Sequence, residues 1–550
     1  KGPGVEALLI SGVDIRDSKL TWEDRSAGEM IRLTALNVTT DKLVLGKPFD
    51  ISAGANIEKQ PSGASFVAHL KGQVSVDPDG KKISVIPLEF VVSDVDEKNS
   101  LKVAGAVDLD LAKGTLNLQN LEVESGGLRA KGGVKVTNLM QRPSLSGNVA
   151  VEPFSPNKLI VSLGGTPPRM ADPGALTHGT MKLAFNGSPD RLNFSKIQLQ
   201  LDQTSISGNA KVVTAGKKPT ISFQLKGNAI DMDRYLPPEG GGRPSKSRGD
   251  EMLPLAALFA ADMNGTITLD RLKINKLMAN KVTLKIDQFN NRLQIDKSVQ
   301  SFYSGSYRGT TIVNVRKKVP TLRHTSNMTG LQIGPLLTQL TGERRLVGKG
   351  SVRADINSRG AGMSAIRKAM RGNVDVQLHN GAIKGFNLGQ ISRDAKTQIG
   401  ALKGSSSSKG SSSGMQQTDF SELSVKAKIK GRVINNTSLT MKAPYLRVKG
   451  RGSLDTVKQW LNYNVTTTVV GTHIGQGGKG LKDLEGIPLP MKYKGPLSKV
   501  DDWRRWKVDF EAVLNSKIKK EVKRKIDKEV DKLEEKVEKK IEKEVDKEIK

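Results

Sequence analysis

The sequence predicts a mostly β protein: a long curled antiparallel sheet forming an open hydrophobic groove, with short helices and a long C-terminal helix. Three observations carry that expectation. Apolar and polar residues alternate in strand after strand from Val13 to about Tyr235, and again through the second half. A period of two sends the apolar set to one face of a sheet and the polar set to the other. Only 4% of the 550 residues are aromatic, whereas 56 are glycine. Aromatic side chains supply much of the area that fills a deep core, so their scarcity favours a thin, extended construction. Beyond about Val513 the apolar period lengthens to that of a helix.

Residues 1–236 read as a repeating β-groove region. Leu101, Val103, Gly105, Val107 and Leu109 keep one parity against Lys102, Asp108 and Asp110, and Leu116, Leu118, Leu121 and Val123 continue the theme. Ile197, Leu199 and Leu201 alternate with Gln198, Gln200 and Asp202. Turns are expected at Asp79-Gly80, Gly126-Gly127 and Ser207-Gly208, as antiparallel meanders require. Gly105 and Gly132 fall in strand phase, where glycine lets a sheet bend sharply.

Residues 237–252, with Pro237-Pro238 and Gly240-Gly241-Gly242, have the composition of a flexible linker. Residues 253–510 form a second β-groove region with short helices expected at Pro254–Ala261, Leu331–Leu340 and Met363–Met370. Strands are expected at Thr266–Ile274 and Lys281–Asp287, the latter with Val282, Leu284 and Ile286 on one face. Within Leu346–Ser392, Val374, Val376 and Leu378 alternate with Asp375, Gln377 and His379. A turn is expected at Asn380-Gly381, leading to a helix over Asn387–Gln398. Gly381 and Gly385 are read as backbone positions that need positive φ or close packing. A Gly/Ser loop occupies 404–414, after which Leu423, Val425, Ala427 and Ile429 alternate with Lys426, Lys428 and Lys430.

Residues 511–550 are expected to form a charged helix. Ile518, Val522, Ile526, Val530 and Leu533 recur every three or four residues, an apolar stripe only one residue wide. From Lys517 onward there are 14 basic and 11 acidic residues, so most of the net charge of +31 resides elsewhere.

That charge attracts anionic surfaces. The lysines are spread along many strand faces, with no helix-turn-helix, zinc or RNA-platform pattern, so no nucleic-acid partner is expected. There is no cysteine, and the five histidines are dispersed without metal-ligand spacing. No G-x-S-x-G elbow or P-loop occurs. Gly475–Gly480 satisfies G-x-G-x-x-G, but Ile487-Pro488-Leu489-Pro490 interrupts where a βαβ unit would have to continue. No enzyme activity, cofactor or metal is expected. No apolar run approaches the roughly 18 residues that span a bilayer.

A sheet with one apolar face must cover it with another sheet, a helix layer or lipid. A membrane barrel would need aromatic girdles, which six tyrosines and four tryptophans cannot furnish. Acyl chains lying on the open face are the remaining cover. The residues expected to meet them are Leu101, Val103, Val107 and Leu109, then Val282, Leu284 and Ile286. Val374, Val376, Leu378, Leu423, Val425 and Ile429 complete the set.

Several stretches together resemble the AsmA-like family. They are Leu253-Pro254-Leu255 through Gly265-Thr266-Ile267, the run Gly381-Ala382-Ile383-Lys384-Gly385-Phe386-Asn387-Leu388, and Leu484-Glu485-Gly486-Ile487-Pro488-Leu489-Pro490. Trp22-Glu23-Asp24-Arg25 and Met232-Asp233-Arg234-Tyr235-Leu236-Pro237-Pro238 add to the likeness. The resemblance implies a periplasmic protein anchored to the inner membrane by an N-terminal helix absent from this chain. It implies a fold similar to bridge-like lipid-transfer proteins, carrying phospholipid between inner and outer membrane in support of outer-membrane biogenesis and lipid homeostasis. The implied partners are phospholipids, the inner and outer membrane surfaces, and a protein of the outer membrane or periplasm. The alternative is a periplasmic scaffold for outer-membrane protein assembly, with no lipid conduit.

Overall fold

The computed structural model describes residues 9–24, 29–94, 100–236, 255–385, 417–471, 485–500, 502 and 505–548. The expected linker at 237–252, the Gly/Ser loop at 404–414, the helix at Asn387–Gln398 and the glycine motif at Gly475–Gly480 lie outside them. The chain forms two compact units, one built on the strands up to Leu293 and the other on those from Gln294 onward.

In the first unit, strands of 10 to 13 residues follow one another from Asp14–Asp24 to Thr220–Asp231. Apart from a two-residue pairing of Leu9–Ile10 with Leu43–Val44, each pairs antiparallel with its neighbours in sequence. One parallel pair breaks the meander: Thr220–Asp231 runs alongside Asp262–Ile274, which then pairs antiparallel with Leu277–Phe289. A parallel neighbour needs a long crossover, and here the crossover is residues 232–261.

The second unit is antiparallel from Gly305–Asn314 to the short strand Lys507–Val508. Short helices Ile333–Thr341 and Met363–Ala369 occur where helical spacing predicts them, and Leu255–Leu258 is shorter than expected. Pro156–Ser162 is a helix the alternation did not foretell. Ser155 caps it, and Pro156 occupies its first turn, where the missing N–H costs nothing. Phe510–Glu548 is a single helix of 39 residues.

The sheet is mostly antiparallel and open, as expected, but the expected curl is a correction: within each unit the sheet is uncurled. Among the described residues of each unit, the long strands pair with their sequence neighbours.

Two expected turns are also corrected. Ser207-Gly208 lies inside strand Thr204–Val213, and the chain reverses instead around Asp202, whose φ is 51°. Asn380-Gly381 lies inside strand Arg371–Lys384, where two residues stand opposite the single Gly348 in a bulge. Asn380 takes the left-handed conformation at φ 49°. A Cβ on Gly381 would strike the Val347 carbonyl and stand 2.5 Å from the Phe420 ring. Gly385 has φ +78° and open space around it. Of the two glycines, one is required by packing and the other by conformation.

Candidate functional site

The register turns the alternation into continuous apolar rows. In the first unit, Val103 stands opposite Phe90 on one side and Val123 on the other. From Val123 the row passes through Ala130, Val151 and Met181. It continues through Leu199, Ile206 and Gly227 to Leu269 and Val282. In the other direction it runs from Phe90 through Leu70, Ala53 and Val38 to Ile15. The row crosses every strand from Asp14–Asp24 to Leu277–Phe289 without a polar residue, roughly 65 Å at about 4.8 Å per strand.

A second row lies beside it. Phe49, Val74, Val85 and Val107 lead to Leu118 and Val134. Gly147, Phe185, Phe194 and Ala210 follow, then Phe223, Gly265 and Ile286. The two glycines in this row make room for aromatics. A Cβ on Gly147 would stand 2.6 Å from the Phe185 ring, and one on Gly265 would overlap the Phe223 ring. The few phenylalanines therefore lie against glycines and cover the face where their neighbours have no side chain. Sequence reasoning did not single out Phe185, Phe194 and Phe223. Their strand-phase positions were the available signal.

Between the rows the strands carry bulges at Gly72, Gly105 and Gly132, where the register shifts. Gly105 has φ +158°, and a Cβ there would meet the Gln119 carbonyl at 2.9 Å. The glycines seen in strand phase thus serve local register, and a bulge sharpens twist at that point.

The expected residues fall on these faces. Leu101 stands opposite Val92 and Leu109 opposite Ile83, flanking the Val103 and Val107 positions. Val282, Leu284 and Ile286 stand opposite Leu269, Ile267 and Gly265. In the second unit Val376 faces Val425, Leu378 faces Leu423, Val374 faces Ala427 and Ile429 faces Gly372. All six expected residues there share one side. The polar side carries Lys426, Lys428 and Lys430, all exposed. On the first unit's polar side, Lys131 bridges Glu122 and Glu152 at 3.1 and 3.2 Å.

Burial separates the residues that alternation had grouped. Val103, Val107, Leu109, Leu284, Ile286, Val374, Val376, Val425 and Ile429 are half-buried, and Leu101 is 38% exposed. Val282, Leu378 and Leu423 are buried by the chain itself. The burial deepens along the second unit, where Leu331, Leu446, Val469 and Tyr493 are at most 1% exposed. Over most of the first unit the apolar rows remain half-open. Alternation reports which side a residue faces but not what lies above it.

Among the described residues, no group of three or more histidine or acidic side chains is placed to hold a metal. No described helix is long and apolar enough to cross a membrane.

An open β ladder with one largely apolar face is the setting for the comparison with known proteins. Residues 6–439 match the AsmA family. The chain belongs to the AsmA family. It is also 20% identical over 341 residues to Protein AsmA of Escherichia coli (strain K12), a match covering 58% of this chain and 54% of that protein. The chain thus spans about half the length of that curated relative. Described residues in the stretches that carry the AsmA likeness are held by packing or pairing. Gly381 is packed against Val347 and Phe420. In Met232–Tyr235, Asp233 accepts the Asn275 and Lys276 backbone N–H groups, and Arg234 pairs with Asp172 at 2.6 Å. Buried Leu489 lies opposite Thr467.

Proposed function

We propose that this AsmA family member carries phospholipid through the periplasm, between inner and outer membrane, with acyl chains lying along its apolar face. One observation supports this most: the apolar rows of the first unit run from strand to strand without a polar residue, one of them from Asp14–Asp24 to Leu277–Phe289, and are half-exposed over most of their length. Burying apolar area is worth about 25 cal/mol per Å², so a face this long gains by taking acyl chains as cover. Headgroups would lie where water reaches the lipid, within reach of cationic side chains on or beside the apolar face. On this reading the protein has no enzymatic role, and outer-membrane biogenesis depends on it through lipid supply.

The test is lipid occupancy. Val103→Asp, Val123→Asp and Ile206→Asp together place three carboxylates in one row at half-exposed positions. The folded variant, verified by circular dichroism, should lose co-purified phospholipid in native mass spectrometry. It should also lose transfer between donor and acceptor vesicles. Full lipid content and transfer in the variant would sink the reading.

A second reading is a periplasmic scaffold for outer-membrane protein assembly. It is favoured by the second unit, where the chain itself buries part of the apolar face, including Leu331, Leu378, Leu446 and Val469. A wild-type protein free of lipid that captures an outer-membrane or periplasmic protein would support it.

A further inference from the structure

One cation interrupts the apolar face. In strand Arg292–Phe302, Ile295, Lys297 and Val299 keep one parity, against Gln294, Asp296 and Ser298 on the other. Val299 is buried, and Lys297 is a lysine in an apolar position. Its ammonium hydrogen-bonds the Thr311 hydroxyl. Thr311 Oγ1 lies 2.9 Å from His324 Nδ1, and the two residues are register partners. His324 faces Ile356, Ile356 faces Gly372, and Gly372 faces Ile429. The cluster therefore shares the side that presents Val374 and Val376.

No salt bridge joins Lys297 to a carboxylate among the described residues, although the charge of neighbouring Asp296 favours its protonated form. Asp296, its neighbour, has the other parity and accepts from Thr310 at 2.6 Å. Burial holds both the Lys297 ammonium and the His324 imidazolium below their ordinary pKa ranges, and for His324 the charge on Lys297 adds to the effect.

The hydrogen-bond inventory is one-sided. An ammonium has donors and no acceptor, so Thr311 Oγ1 accepts from Lys297, and with His324 protonated at Nε2 the Thr311 hydroxyl donates to its Nδ1. The remaining Lys297 N–H bonds, and the His324 Nε2–H in that tautomer, are donors with no acceptor among these three side chains. Two donor groups on an apolar face, one of them cationic and without a carboxylate partner, fit an anionic oxygen ligand.

We propose that Lys297, Thr311 and His324 form a binding step for the phosphate of an anionic lipid headgroup on the apolar face. The inference rests on the lipid-carrying reading and adds a headgroup preference to it. A zwitterionic headgroup brings its own ammonium to compete with Lys297, whereas an anionic one does not.

The experiment equilibrates the full chain, Lys297→Met, Lys297→Arg and Thr311→Val with vesicles of equal parts phosphatidylglycerol and phosphatidylethanolamine. Bound lipids are then counted by native mass spectrometry. Wild type and Lys297→Arg should enrich phosphatidylglycerol by about three- to tenfold, or about 0.7–1.4 kcal/mol of discrimination from the competing ammonium. Lys297→Met should bind as much total lipid without enrichment, and Thr311→Val, which keeps the ammonium but loses its anchor, should fall between. Equal headgroup ratios in wild type and Lys297→Met, with lipid bound to both, would overturn the site and leave the lipid reading standing. No lipid on wild type would overturn both. A parallel titration with inorganic phosphate, followed by phosphorus NMR, separates the sources. Tight phosphate binding lost in Lys297→Met, with no headgroup preference in wild type, would overturn the lipid site in favour of free phosphate.

Discussion

The hydroxyl of Tyr235 donates to the carboxylate of Asp202 at 2.9 Å. The same carboxylate accepts the backbone N–H groups of Leu176, Thr177 and His178 at 2.9, 3.0 and 3.2 Å. One buried aspartate thus ties the segment after helix Pro156–Ser162 to the short helix Met232–Tyr235 that ends the last strand before the crossover. Arg234, which pairs with Asp172, fastens the same corner.

Removing that contact should cost stability without touching the apolar face. Tyr235→Phe should destabilise the first unit by about 1.5–3 kcal/mol, the worth of a hydrogen bond to a charged group. Asp202→Asn should cost more, since it withdraws the charge from four donors at once. Chemical denaturation checks both. Wild-type stability in Tyr235→Phe would show the contact to be incidental.

The same corner should respond to pH at both ends of the scale. Burial pushes the Asp202 pKa up, but its four donors outweigh that and hold it below the ordinary carboxylate value. A depressed folded pKa gives stability that is present above the unfolded value of about 4 and lost as pH falls through the folded one. Burial and the Asp202 charge push the Tyr235 phenol up to about 12. Its contribution should hold below about pH 10 and fade as pH rises from there toward 12. Thermal melts of wild type and Asp202→Asn across acid pH, and of Tyr235→Phe across alkaline pH, should show the variants losing less.

Gly381 and Gly385 should separate packing from conformation. Gly381→Ala puts a methyl group into the Val347 carbonyl and the Phe420 ring, and overpacking of this kind costs about 1–3 kcal/mol or more. Gly385→Ala meets no atom and should cost only about 1–2 kcal/mol for a left-handed backbone. Phe420→Ala should cost less in the Gly381→Ala background than in wild type, because there it also relieves one of the two clashes. A larger cost at Gly385 than at Gly381 would reverse the assignment.

Lipid contact should follow exposure along the ladder. A benzophenone side chain at Leu199, which is 36% exposed, should cross-link to phospholipid. One at Met441 or Leu489, both nearly inaccessible, should not, provided the variant folds. Equal cross-linking at all three positions would mean that the second unit opens to lipid as the first does.

Lys426, Lys428 and Lys430 project from the polar side of one strand. Reversing all three to glutamate should weaken binding to anionic vesicles, and the difference should shrink as salt rises, since exposed charges are screened over about 8–10 Å near physiological ionic strength. Unchanged sedimentation with vesicles would show these lysines to be only solubilising.

Much of the fold was legible because a strand's side chains alternate with a fixed period. Val374, Val376 and Leu378 could be placed on one face from spacing alone, and the register bears out that face. The Asn380-Gly381 pair could not be resolved that way. Asn-Gly is a common turn signal, and only the unpaired position opposite Gly348 makes it a bulge. Ser207-Gly208 misled for the same reason, since a glycine inside a strand and one in a turn look alike until the partner strand is known.

By itself the sequence determined a β chain with one apolar side, a charged C-terminal helix and AsmA-like stretches, all properties of residues near one another in the chain. The tertiary structure decided the rest. It joined Ile15 to Val282 in one row, brought Asp202 to Tyr235, and placed Lys297 beside His324. It also buried Leu378 while leaving Val103 half-open. Each of these depends on register and covering layer, which are set by pairing between distant residues, and alternation carries no record of which strand lies alongside or what rests above it.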